Sequence, residues 1–451
     1  MGRTVISEVS VRTRLISFGS SGYEVGLILG QSTEKEDYLV HLARTPPPRT
    51  KNVIEEVPIS SSSDTDEDSC KKCFKSIQDI PESWLGDHAN DVTRMLPGGM
   101  CIVGIFIAGP DDTLDNSVNV HKFKSILAAI QRNLSLNKYL YGNNQQYFIL
   151  SYNSTTQRYI CKMVDDIKNG MLKPVDIKFR AQGIPWFELE TAINLDRTFC
   201  IGTDKEPESL REQLQEILED VSDMIDSALV VIAGKTRSPD DAIETMITHE
   251  DNKKQFEVDL YIPCLKSSST NVKIKPCSES MWIVGQLVSK TFVTGKTSIE
   301  EAIRAIKQDI VRSLASRLEM HWDSLIEEEN GSPEENITLH EPPRRILIYL
   351  HKSRVTLSSY LFPGEEPQEA LISLQELLDV DAEDLDIQNE IEHHAESIDA
   401  YQCSTPTIPV NTEKTESFLT SVHIVGLSIT ILVIVAAIIF QQLYGLHIEQ
   451  V

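Results

Sequence analysis

The stretch Met100-Cys101-Ile102-Val103-Gly104-Ile105-Phe106-Ile107-Ala108 decides the fold. It is apolar almost end to end, so it does not alternate as a strand with one wet face would. A run of this length reads as a central strand covered on both faces. Pro97-Gly98-Gly99 stands directly before it and stops a helical stretch, Pro81 to Leu96, whose apolar set is Trp84, Leu85, Val92, Met95 and Leu96. Beyond it, Val120, Phe123, Ile126, Leu127, Ile130 and Leu134 fall on one stripe of a second helix. A buried strand between two amphipathic helices predicts an α/β to α+β unit.

Working outward, Val5, Val9 and Val11 begin an extended run. Val25 to Gly30 and Asp37 to Leu42 then read as a hairpin. Strands are expected at 147–150, 159–162, 175–179, 186–193, 256–263 and 281–294, with long helices at 208–230 and from Ser298 to Ile326. Ser298 and Glu301 have capping-box spacing. Arg345 to His351 and Val355 to Leu361 suggest a further hairpin. Met281-Trp282-Ile283-Val284-Gly285 echoes residues 100–104, too briefly to establish a repeat. The expected organisation is a first domain over 1–200, interrupted by a disordered acidic, serine-rich insertion at 46–78, and a second α+β domain over 201–363. An acidic linker with one helix follows at 364–420, and a transmembrane helix at 421–441.

The 451 residues are 41% hydrophobic and 24% charged, as a mostly globular chain requires. With 68 acidic against 42 basic residues and a net charge of −26, the chain lacks the basic surface of a nucleic-acid binder. A mean hydropathy of −0.19 excludes a polytopic membrane protein. It hides one apolar segment, Val422 to Phe440, whose Val422, Ile424, Leu427, Ile431, Ile434 and Phe440 are expected to contact lipid. At about 1.5 Å per residue this segment spans roughly 28 Å, close to the hydrocarbon core of a bilayer. The N-terminus carries no apolar signal segment, which predicts a single-pass tail anchor with the bulk of the chain in the cytosol.

Catalytic motifs fail on inspection. Gly295-Lys296-Thr297 ends like a phosphate-binding loop, but the required glycine five positions earlier is Lys290. Gly19-Ser20-Ser21-Gly22 has the wrong spacing for a nucleophile elbow. Cys70 and Cys73 lack a second pair to complete a zinc site. Val103-Gly104-Ile105-Phe106-Ile107-Ala108-Gly109-Pro110 resembles the central strand of the JAB/MPN metalloprotease fold, which in active members ends V-G-W-Y-H-S-H-P. On that resemblance the two zinc-binding histidine positions are Ile107 and Gly109, Ser117 takes the place of the family's serine, and Val120 replaces its ligating aspartate. The general-base position falls on Tyr23, with Glu24 one place off. Isoleucine, glycine and valine offer zinc no donor, so the expectation is an MPN-like, inactive JAB/MPN domain with no metal, no cofactor and no catalytic residue.

Met1-Gly2-Arg3-Thr4, Gly26 to Gln31, Arg44-Thr45-Pro46-Pro47, Arg94 to Gly99, Ala305 to Ile310 and the C-terminal apolar segment together resemble the odorant-response-abnormal protein four family. The resemblance implies a non-catalytic adaptor of the endoplasmic-reticulum membrane. Such an adaptor promotes folding, exit and ciliary trafficking of seven-helix chemoreceptors. It also implies pairing with the ubiquitin-fold-modifier-specific cysteine protease, which it would hold at that membrane, with Trp84 as the candidate partner contact. The competing expectation is an MPN-type isopeptidase with unrecognised metal ligands.

Overall fold

The apolar run from Met100 is strand β4, Cys101–Gly109, and it lies between β2, Glu24–Ser32, and β5, Tyr147–Asn153, in the middle of the largest sheet. The computed structural model describes residues 3–18, 22–33, 36–46, 74–140, 146–202, 209–247, 254–263, 277–328, 339–350, 354–380, 385–388 and 391–392. All of them belong to a unit that spans residues 1–394. A second unit, 395–451, lies outside the described residues, as does most of the insertion expected at 46–78.

The first sheet has eight strands. Besides β2, β4 and β5 they are β1 (Thr4–Glu8), β3 (Asp37–Arg44), β6 (Arg158–Val164), β7 (Lys173–Pro174) and β8 (Asp176–Arg180), in the order β7-β6-β5-β4-β2-β3-β1-β8. β7 and β8 occupy opposite ends of that order, yet only Val175 separates them in sequence. The sheet therefore rolls until its edges meet there, and a rolled sheet leaves no long bare edge. Val5, Leu39, Val103, Phe106, Phe148 and Leu150 fill the inside of the roll. Helix α1, Val9–Ile16, adds Val11 and Leu15, and Phe18 stacks on Phe106 at 5.0 Å.

α1 corrects the expectation of an extended run through Val9 and Val11. Val11 and Leu15 are buried one helical turn apart while Val9 is 43% exposed. Three residues of alternation cannot separate a strand period from a helix period. Outside the roll, α2 (Glu82–Met95) and α3 (Ser117–Ser135) cover β4 and its neighbours with Leu85, Val92, Phe123, Ile126 and Ile130.

The second sheet runs β10-β11-β9-β12-β13, from β9 (Trp186–Gly202), β10 (Leu229–Ile232), β11 (Gln255–Tyr261), β12 (Cys277–Thr294) and β13 (Leu339–His340). β9 is longer than its apolar pattern predicts, because its far half is held by pairing with β12 rather than by burial. Helices α4 (Leu210–Ser227) and α5 (Ile299–Glu328) cover one face. The capping box opening α5 forms as its spacing predicts, with Ser298 N–H donating to Glu301 Oε2 at 3.2 Å and Glu301 N–H to Ser298 Oγ at 3.2 Å. The hand-over between the two sheets falls at 181–185.

A third sheet pairs β14 (Arg344–Leu350) with β15 (Thr356–Leu361) as the expected hairpin, and with β16 (Leu385–Gln388) on its other side. Helix α6, Pro367–Leu378, lies in the acidic stretch where one helix was expected. It buries Ala370, Leu374 and Leu378 in the same core as α2.

Candidate functional site

The end of β4 is where the MPN resemblance places its chemistry. Ile107 is fully buried, with Val25 of β2 and Ser151 of β5 beside it in register. Gly109 ends the strand beneath the ring of Tyr23, and a Cβ at Gly109 would meet Tyr23 Cδ1 at 2.4 Å. Ser117 is exposed and Val120 half-buried on the first turn of α3. The Tyr23 hydroxyl donates to Asp111 Oδ1 at 2.7 Å. Burial, then the Asp111 carboxylate, pushes the Tyr23 phenol up to about 12, so it stays protonated and cannot act as a base near neutrality.

The neighbouring polar groups bind one another. Thr113 and Ser151 hydroxyls meet at 2.8 Å, Asn153 Nδ2 donates to Asp112 Oδ1 at 2.9 Å, and Ser154 N–H donates to Gly109 O at 2.8 Å. Among the described residues, no three His, Cys, Asp or Glu side chains cluster as metal ligands. Ile107 and Gly109 thus stand at one strand end, where a tyrosine ring covers the glycine, while Val120 lies on the first turn of α3.

Two of the sequence blocks quoted for the wider family resemblance, Gly26 to Gln31 and Arg94 to Gly99, meet elsewhere, on the joint between the first two sheets. Gly98 sits beside Thr291: its N–H donates to Lys290 O at 3.1 Å and its carbonyl accepts from Phe292 N–H at 2.9 Å. Gln31 Nε2 donates to Gly99 O and Phe292 O, both at 2.9 Å, and Gln31 Oε1 accepts from Thr294 N–H at 3.1 Å. Gly99 has φ +80, and a Cβ there would lie 2.2 Å from Phe292 O. Arg94 reaches across to Glu319 at 2.9 Å. These residues are therefore structural fasteners.

Next to that joint lies a buried charge network. Asp309 of α5 accepts from Ser289 Oγ at 2.8 Å and pairs with Arg345 of β14. Arg345 also donates to Ser358 Oγ and Val288 O. Glu392 takes the Val288 amide at 2.6 Å, the Arg345 amide at 2.6 Å and Arg317 Nη2 at 2.7 Å. Burial opposes the charge on Arg345, but Asp309, Tyr360 and Glu392 together outweigh it and raise the pKa of the guanidinium. Sequence reasoning missed this network, since Glu392 sits in a stretch whose charge density reads as solvated linker.

Trp84 is half-buried on α2, its ring edge-on to Phe74 at 5.5 Å. Among the described residues no helix is long and apolar enough to cross a membrane. Val422, Ile424, Leu427, Ile431, Ile434 and Phe440, with the whole expected span 421–441, lie outside them.

Comparison with known proteins gives the following. The family model described as "ODR4-like: Odorant response abnormal 4-like" matches residues 26–389. The "Protein odr-4 homolog" of Mus musculus is 25% identical over 410 residues, covering 87% of this chain and 87% of that one. The "Odorant response abnormal protein 4" of Caenorhabditis elegans is 22% identical over 326 residues, 71% of this chain and 66% of its own. Among solved structures, UfSP from C. elegans superposes with a TM-score of 0.38 at 9% identity, covering 84% of this chain and 57% of that chain.

Proposed function

We propose a function on one premise: this chain belongs to the Odorant response abnormal 4-like family. It is a non-catalytic adaptor of the endoplasmic-reticulum membrane that promotes the folding, exit and ciliary trafficking of seven-helix chemoreceptors. It recruits the ubiquitin-fold-modifier-specific cysteine protease to that membrane. The first sheet and its helices act as a metal-free, MPN-like body, and residues 421–441 act as the anchor.

The observation that carries the non-catalytic half is the stack of Tyr23 on Gly109 beside the buried Ile107. Imidazole at either position would need space that an aliphatic core and a phenol ring already fill. The trafficking half rests on the family.

Two measurements test the reading. Purified residues 1–394 are analysed for metal, and a stoichiometric zinc ion would favour the isopeptidase instead. In cells lacking the protein, a tagged seven-helix chemoreceptor is expected to accumulate in the reticulum and to be released by the full chain but not by residues 1–420. Equal delivery with and without the protein would refute the adaptor role.

A further inference from the structure

β9 and β11 begin as a parallel pair and then part. Their register holds only from Gln255 opposite Glu188 to Glu257 opposite Glu190. Beyond that, β9 stays bonded to β12 on its far side, and β11 to β10 on its far side. The facing edges enclose a cleft of ≈ 1070 Å³ lined by 190–194 and 254–262. Among the described residues no strand pairs with either edge there. Glu188 N–H donates to Lys254 O at 2.7 Å, so by strand alternation the amides of Ala192 and Asn194 also face the cleft. A bare edge of this kind is a template for another strand.

The side chains say which strand. On the face toward α4 and α5, Ile193, Phe199, Phe256 and Leu260 are only partly covered by the second core. Alternation sends Glu190, Glu257 and Asp259 to the opposite face. The single cation lining the cleft, Lys254, sits at its closed end, where β9 and β11 are still bonded. Tyr261 and Leu229, opposite one another in the β10–β11 register, add an apolar rim at 57% and 59% exposure.

We propose that this cleft takes an extended segment of a partner protein as an added strand, about five to seven residues long, with apolar and basic residues alternating. The apolar residues cover Ile193, Phe256 and Leu260, and the basic ones meet Glu257 and Asp259, since Glu190 is already held by Lys290 and Gln255. The proposal does not depend on the trafficking role, because peptide binding and receptor delivery are read in separate assays. The chain's own Asn271-Val272-Lys273-Ile274-Lys275 has the same alternation and is the competing occupant.

The test uses the full chain in detergent and a fluorescein-labelled heptapeptide of alternating valine and lysine, followed by fluorescence anisotropy. The peptide is expected to bind. A valine–glutamate peptide, and a valine–lysine peptide N-methylated at alternate amides, are expected not to. Glu257→Lys with Asp259→Lys should weaken binding about tenfold or more through charge reversal. Ala192→Pro should do the same by removing one cleft-facing donor without breaking the β12 ladder. If Ala192→Pro lowers the melting temperature, the exposed charge-reversal pair decides. The proposal falls if the lysine peptide does not bind, if the glutamate or N-methylated peptide binds as well, or if the charge reversal changes nothing. It also falls if Lys273→Glu with Lys275→Glu tightens peptide binding about tenfold, since the chain's own segment would then be the occupant.

Discussion

Arg345 and Asp309 form a two-pronged ion pair, Nη1 to Oδ2 at 2.7 Å and Nη2 to Oδ1 at 3.0 Å, with each side chain 1% exposed. It ties β14 of the third sheet to α5 of the second. A buried pair is weak evidence of stabilisation in itself, because desolvation of both ions offsets their attraction. What it does set is the cost of losing one partner.

Asp309→Ala should therefore destabilise residues 1–394 by about 3–5 kcal/mol, a large share of the ~5–15 kcal/mol that holds a domain. Pairing Asp309→Leu with Arg345→Met should recover much of that loss. Thermal and urea unfolding check both. A single variant that melts with the wild type would show that water reaches the Arg345 guanidinium.

Gly99→Ala should fail for a different reason. Its φ of +80 costs a residue with a Cβ roughly 1–2 kcal/mol, and the added carbon would also press on Phe292 O. The joint between the first and second sheets should loosen. Amide exchange at Phe292 and Thr294 should quicken in the variant, while exchange in β5 and β6 changes little. Uniform quickening would mean that the two sheets unfold as one.

These two sites show where the sequence is readable. β4 was legible because nine nearly continuous apolar residues fit little else, and the α5 cap because its two residues sit at fixed spacing. Position 107 was legible as a buried one from its place in that apolar run. The meeting of β7 and β8 at Val175 was not, since strand order is a property of pairing and leaves no local pattern. Asp309, Arg345 and Glu392 look like solvent-facing charges until the third sheet folds over them. Nor does anything around Tyr23 announce that its ring covers Gly109.

His88 gives the fold a pH dependence with a definite sign. It is 4% exposed; Nε2 donates to Leu377 O at 2.7 Å and Nδ1 accepts from the Thr45 hydroxyl at 3.0 Å. Burial lowers its pKa from 6.5 to about 4, despite the Leu377 carbonyl. Between those values the unfolded chain holds the extra proton, so stability is full above about 6.5 and is lost as pH falls toward 4. The loss from this one group is about 3 kcal/mol at 1.36 per unit. His41 is lowered to about 4 as well, first by burial and then by Arg14. The urea midpoint of residues 1–394 should drop across this window, and His88→Gln should flatten the drop. An unchanged slope in the variant would place the titration on other groups.

The remaining prediction concerns residues 421–451. Val422 to Phe440 is uninterrupted by Asp, Glu, Lys or Arg, and His423 near its start is its one ionisable side chain. As a helix it would reach roughly 28 Å, enough for the ~30 Å apolar core of a bilayer. Among the described residues no helix competes with it as a membrane span. Removing 421–451 should therefore move the protein from the carbonate-resistant pellet to the supernatant. A glycosylation acceptor appended after Val451 should be modified in cells, while the sequons at Asn133, Asn153, Asn330 and Asn336 should not, because a tail anchor leaves them in the cytosol. Glycans on Asn133 or Asn153 with none on the appended site would reverse the topology. Continued membrane retention of the truncated chain would mean that a second attachment exists, and the anchor would lose its role in the proposed function.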